Sequence, residues 1–172
     1  METGIIVCGL NGTGKSTLGS ALAGALGFGF IDAEDLFFSG ADDSYANPRP
    51  RGEAVRTLAD WISANGSFVF ASVRGDFGPR IEAKYRFAVL TEVSREIRIE
   101  RLRRRSLEKY GSRALPGGDL FEREARFLSM AASRPEDYAL EWARTLTCPL
   151  LRVDGTASVP ENIALIREKT GL

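Results

Sequence analysis

Residues 9–16 read Gly-Leu-Asn-Gly-Thr-Gly-Lys-Ser. They follow the apolar run Ile5-Ile6-Val7-Cys8 and precede a helical pattern, the context that G-x-x-x-x-G-K-[ST] requires. The chemistry such a segment performs is anion binding. Gly9, Gly12 and Gly14 permit the backbone angles that turn successive N–H groups toward a phosphate. A helix opening near Lys15 adds the partial positive charge of its N-terminus. In this loop Lys15 reaches the β- and γ-phosphates of a nucleotide, and Ser16 is placed to ligate Mg²⁺. Asn11, Thr13 and Thr17 complete the expected nucleotide-side set.

Two further groups of residues bear on chemistry. The second apolar run ends in Asp32-Ala33-Glu34-Asp35. If that run is a strand beside the phosphate loop, Asp32, Glu34 and Asp35 face the loop mouth. One acid would order Mg²⁺, and another would accept a hydrogen bond or proton from a substrate hydroxyl. The same acids would equally serve as a cap on a following helix. Further on, Arg95, Arg98, Arg101 and Arg105 are spaced to line one helix face. Glu92, Glu96 and Glu100 interleave, so part of this pattern is ordinary helix-surface pairing. The run from Arg101 to Arg105 leads into a Gly/Pro-rich stretch containing Arg113, an arrangement expected of a lid that closes on phosphates.

These residues need a scaffold. Short apolar runs at 4–8, 28–31, 68–73, 87–93 and 150–153 read as strands. Helical patterns at 16–26, 52–65, 94–107, 120–132, 135–146 and 160–169 alternate with them. Near-continuous apolar strands alternating with helices predict an α/β fold, a doubly wound five-stranded parallel sheet with helices on both faces. A length of 172 residues fits a single domain. Within it a lid segment is expected at about 103–122, and a substrate-side segment at about 36–65. Residues 39–51 and 111–119 carry turn chemistry.

Composition excludes much. There is no histidine, which removes imidazole bases and His-ligated metal sites. Cys8 and Cys148 are too few for a disulfide framework, and Cys8 reads as buried filler. Basic and acidic residues balance at 23 each, so net charge makes no case for nucleic acid or an anionic membrane. Only four of the basic residues are lysine, a bias toward the better bidentate partner of phosphate. No signal peptide or membrane span is legible, and the expected location is cytoplasmic.

In their order along the chain, these features resemble the small P-loop kinases, a family that includes adenylate, gluconate and shikimate kinases. Arg101-Leu102-Arg103-Arg104-Arg105 is similar to the Arg-Leu-x-x-Arg that precedes the lid in adenylate-type kinases. The resemblance implies that Arg101 stacks on adenine, that Arg105 contacts phosphate and that Arg113 meets the transferring phosphoryl group. It also implies that Asp154-Gly155-Thr156 supplies the adenine-side loop. Asp32-Ala33-Glu34 resembles the Asp-x-Asp of shikimate kinases. Gly52-Glu53-Ala54-Val55-Arg56 and Arg134-Pro135-Glu136-Asp137-Tyr138 resemble their acceptor-binding motifs. Residues 71–76 read Ala-Ser-Val-Arg-Gly-Asp, nearer to gluconate kinases. Arg56, Arg74 and Arg134 are thus candidate anchors for an anionic acceptor. The implied activity is phosphoryl transfer from ATP, with Mg²⁺, to a small hydroxylated acceptor. The alternative is an ATP-binding accessory or ATPase-like protein without such an acceptor. The third strand lacks the terminal acid that ATPase machines usually keep.

Overall fold

Along β1 (Gly4–Cys8), Ile5 and Val7 face one side of the sheet while Ile6 and Cys8 face the other, and all four are fully buried. A strand of this kind needs cover on both faces. The computed structural model, which describes residues 2–38 and 48–172, supplies that cover. The chain runs through β1, α1 (Lys15–Leu26), β2 (Gly29–Asp32), α2 (Ala33–Phe37), α3 (Arg51–Asn65), β3 (Phe68–Ser72) and α4 (Pro79–Glu82). It continues through β4 (Tyr85–Glu92), α5 (Arg95–Tyr110), a 3-10 turn (Gly111–Ala114), α6 (Phe121–Ser133), α7 (Tyr138–Ala143), β5 (Leu150–Asp154) and α8 (Val159–Thr170).

The strands form one parallel sheet in the order β2-β3-β1-β4-β5. On one face, Leu18 and Leu22 of α1 and Ile166 of α8 pack on Ile5, Val7, Val69 and Val89. On the other, Ala54, Leu58 and Ile62 of α3 and Ala139 and Trp142 of α7 pack on Ile6, Phe68 and Phe70. A smaller apolar cluster of Ile99, Leu102 and Ala131 joins α5 to α6. Register carries the functional consequence. Cys8 lies opposite Ser72 and Leu90, and Asp32 lies opposite Ala71. The carboxyl ends of the strands are therefore level, along the edge where ligands bind in open α/β sheets.

The expected α/β fold and its five strands are present, with instructive differences. Two short helices, α2 and α4, are additions. Asp32 caps α2 by accepting the Glu34 N–H at 2.9 Å, and Pro79 opens α4 at a position where its missing N–H costs nothing. Helix α5 runs to Tyr110, three residues beyond the expected 107, until Gly111 takes a positive φ. Helix α7 is shorter than the expected 135–146. Of the anticipated substrate-side segment, residues 39–47 lie outside the described residues. Among the described residues no helix is long and apolar enough to cross a membrane.

Candidate functional site

The loop between β1 and α1 is held from beneath by buried hydroxyls. Thr13 Oγ1 lies 2.9 Å from the Leu10 carbonyl and 2.7 Å from Thr91 Oγ1, and Thr91 Oγ1 lies 3.1 Å from the Cys8 carbonyl. Two hydroxyl protons serve these three contacts, and both threonines are buried. From the side, Arg98 of α5 is only 1% exposed and donates from Nη1 to the Asn11 carbonyl at 3.2 Å. Gly12, at φ 87°, makes this approach possible, because a Cβ there would lie 2.6 Å from the Arg98 carbonyl oxygen. From above, Arg101 Nη1 donates to the Gly155 carbonyl at 3.0 Å and reaches the Gly12 carbonyl at 3.5 Å. Gly14 closes the loop as the left-handed N-cap of α1.

Beside this loop opens a cavity of about 820 Å³. Its volume lies in the range of small-molecule sites. Asn11, Lys15, Asp32, Glu34, Arg74, Arg105 and Arg134 all contribute to its lining. Burial holds the Lys15 amine below its ordinary pKa; the Asp32 and Glu34 charges oppose that shift, while Arg105 and Arg134 add to it. Asp32 uses Oδ1 to cap α2, whereas its Oδ2 is buried with no hydrogen-bond partner. Asp35 does not line the cavity; partial burial and the neighbouring Asp32 and Glu34 charges raise its carboxyl above the usual range.

The cavity cations fall into two classes. Arg74 pairs with Asp76 at 3.3 Å and stacks over the Tyr138 ring at 4.8 Å, and Arg51 also bonds to Asp76. Arg123 pairs with Glu124 at 2.9 Å. By contrast, among the described residues no carboxylate lies within ion-pair distance of Lys15, Arg105 or Arg134. Among the described residues Arg134 is held by neutral groups: Asn11 Oδ1 at 3.0 Å, Met130 Sδ at 3.3 Å and the Tyr138 ring at 5.1 Å. Grouped cations that no described carboxylate pairs directly make a site for anions.

Several expected residues stand elsewhere. Arg56 is exposed on α3 and does not line the cavity. Arg113 lies outside the lining and pairs with Asp119 at 2.7 Å, both side chains being well exposed. Ser16 and Thr17 are exposed on the first turn of α1. Thr156 bonds to Asp154 through its N–H and its hydroxyl, both at 2.7 Å, and so shapes the turn after β5.

The AAA domain family (AAA_18) matches residues 5–126, from the first strand into α6. The chain belongs to this family. It is 26% identical over 171 residues to the uncharacterized protein YqaC of Bacillus subtilis (strain 168), a match covering 95% of this chain and 94% of that protein. It is similar in structure to a shikimate kinase from Bacteroides thetaiotaomicron, with a TM-score of 0.58, 15% identity and full coverage of both chains. A protein from Chloroflexus aurantiacus J-10-fl superposes with a TM-score of 0.63, 19% identity and coverage of 99% and 96%. The fold is that of the small P-loop kinases.

Set against the expectations, this AAA-domain chain holds three residues whose roles its sequence did not disclose. Arg98 looked like one member of a solvated arginine stripe, yet it is buried under the loop; only its spacing to Arg101 and Arg105 signalled a shared face. Thr91 lies next to the last residue of β4, with no motif to mark it. Asp76 is the shared counter-charge of Arg51 and Arg74, a pairing invisible before folding.

Proposed function

We propose that this protein transfers a phosphoryl group from ATP to the hydroxyl of a small anionic acceptor. The observation that carries the reading is the trio Lys15, Arg105 and Arg134, which line one cavity beside the phosphate loop with no carboxylate among the described residues within ion-pair distance. Phosphoryl transfer needs little beyond positioning and charge neutralisation, and grouped cations offer both. The main-chain amides of residues 9–16 hold the triphosphate tail, with Gly9, Gly12 and Gly14 allowing the turn. Lys15 and Arg105 offset charge on the transferring group. Arg101, Gly155 and Thr156 form the nucleoside side.

Mg²⁺ fits the donor set: Asp32 Oδ2 is a buried carboxylate oxygen lacking a partner, and Ser16 offers a hydroxyl at the start of α1. Together these two residues would hold the ion, directly or through water, and it would supply charge neutralisation for the triphosphate. Asp32 or Glu34 orients the acceptor hydroxyl, and Arg134, with Arg74, holds the acceptor's anionic group. The segment at about 103–122 acts as a lid. Its Arg113 leaves an exposed pair, of a kind that is easily broken, to meet the transferring group as the lid shuts out water.

The experiment is an ADP-release assay over a panel of small hydroxylated acids, sugars and nucleosides. Turnover that depends on one acceptor class supports the kinase. Slow hydrolysis that no acceptor changes would identify an ATP-binding accessory protein instead.

A further inference from the structure

Asn11 is the one residue in the described structure that ties the phosphate loop to Arg134. Its carbonyl accepts from the buried Arg98 at 3.2 Å, and its side-chain oxygen accepts from Arg134 Nη1 at 3.0 Å. The guanidinium has no acceptor, so the amide oxygen must be the atom that faces it. Arg134 follows α6 in extended backbone, between two helices, and its other side-chain contacts are a thioether and the Tyr138 ring. Met130 Sδ is only a weak acceptor for the Nη2–H, and the ring meets the face of the guanidinium. Among the described residues, the strongest acceptor that directs this arginine is therefore the Asn11 oxygen of the loop.

We propose that Asn11 is a positioning residue that couples the two halves of the site, so that nucleotide in the loop orders Arg134 for the acceptor. The inference rests on the kinase reading above. A triphosphate tail held by the loop amides restrains residues 9–16. Asn11 sits within that loop, and Arg98 and the close Gly12 contact hold its main chain against α5. Its Oδ1 then presents a fixed acceptor to Arg134. An arginine already confined to one orientation loses less freedom when an acceptor anion arrives. Binding energies are reciprocal, so the acceptor must strengthen nucleotide binding by the same factor. The element that passes the signal is a single amide side chain.

The test follows Arg134 itself and needs no knowledge of the acceptor. The protein is treated with phenylglyoxal, and adduct formation at Arg134 is read by peptide mass spectrometry against the exposed Arg56. Each variant is assayed with and without a non-hydrolysable ATP analogue and Mg²⁺, at a concentration saturating for that variant. In the unaltered chain, nucleotide is expected to slow modification of Arg134 by about fivefold or more, at the lower end of ordinary coupling. Asn11→Ala should abolish most of that protection. Asn11→Asp, whose carboxylate pairs with the guanidinium permanently, should slow modification of Arg134 with and without nucleotide, a change that mere support of the loop would not produce. Protection by nucleotide that persists in Asn11→Ala, or an Arg134 that reacts in Asn11→Asp as fast as in Asn11→Ala, overturns the inference and leaves the kinase reading standing. A chain that binds no nucleotide takes both down.

Discussion

Lys15 is the residue on which the phosphate site turns. Half-buried in the cavity lining, its amine is held below its ordinary pKa by burial, a shift that the Asp32 charge opposes and the Arg105 charge adds to. Lys15→Ala should therefore erase the rise in melting temperature that ATP-Mg confers, a shift worth about 2.7 kcal/mol at a hundredfold excess over Kd. A melting shift that survives would place the nucleotide elsewhere. Cys8 gives a prediction of different origin. Burial pushes its thiol from 9.0 up to about 12. Between those values the native chain holds a proton that the unfolded chain releases. Its contribution to stability is thus complete below about pH 9 and is lost as pH rises toward 12. Urea melts at pH 8 and pH 10 should show a loss that is smaller in Cys8→Ala. The thiol should resist alkylation at pH 8 while the partly exposed Cys148 reacts.

At the scale of elements, the loop's shape is borrowed from its neighbours. β4 contributes the Thr91 hydroxyl, α5 contributes Arg98, and the turn after β5 presses Gly155 so close that a Cβ there would lie 2.5 Å from the Thr13 carbonyl. Thr91→Val keeps the volume but deletes the hydroxyl. It should lower stability by roughly 1–3 kcal/mol, the cost of leaving buried polar groups unpaired, and weaken nucleotide binding in the same step. Denaturant melts and a nucleotide titration on one preparation would check both. A variant as stable and as tight-binding as the parent would mean that the loop keeps its shape unaided.

At the scale of the whole molecule, the issue is closure. Arg113 and Asp119 form an exposed pair outside the cavity, while Lys15, Arg105 and Arg134 already line it. If lid movement brings Arg113 to the transferring group, Arg113→Ala should leave melting and nucleotide affinity nearly unchanged. It should depress acceptor-dependent kcat by about 10²–10³-fold, as loss of a donor to developing charge does elsewhere. Equal losses in affinity and kcat would confine Arg113 to ground-state binding.

The parallel sheet and the phosphate loop were legible because each is written locally. Strands Gly4–Cys8 and Phe68–Ser72 are buried on both faces, and an eight-residue loop with fixed glycines needs little context beyond a strand before it and a helix after it. The short cap helix after Asp32 was half legible, since the same acid served two readings until the fold showed Oδ1 capping and Oδ2 unpaired. What remained hidden depends on residues far apart in the chain. Arg134 meets Asn11 across 123 positions, Thr91 meets Thr13 across 78, and Asp76 gathers Arg51 and Arg74. An arginine's type and spacing do not reveal its partner. The packing of α5, α6 and α7 decides that Arg98 is buried and that, among the described residues, Arg134 has no carboxylate within ion-pair distance, while the placement of α3 leaves Arg56 exposed and outside the cavity lining.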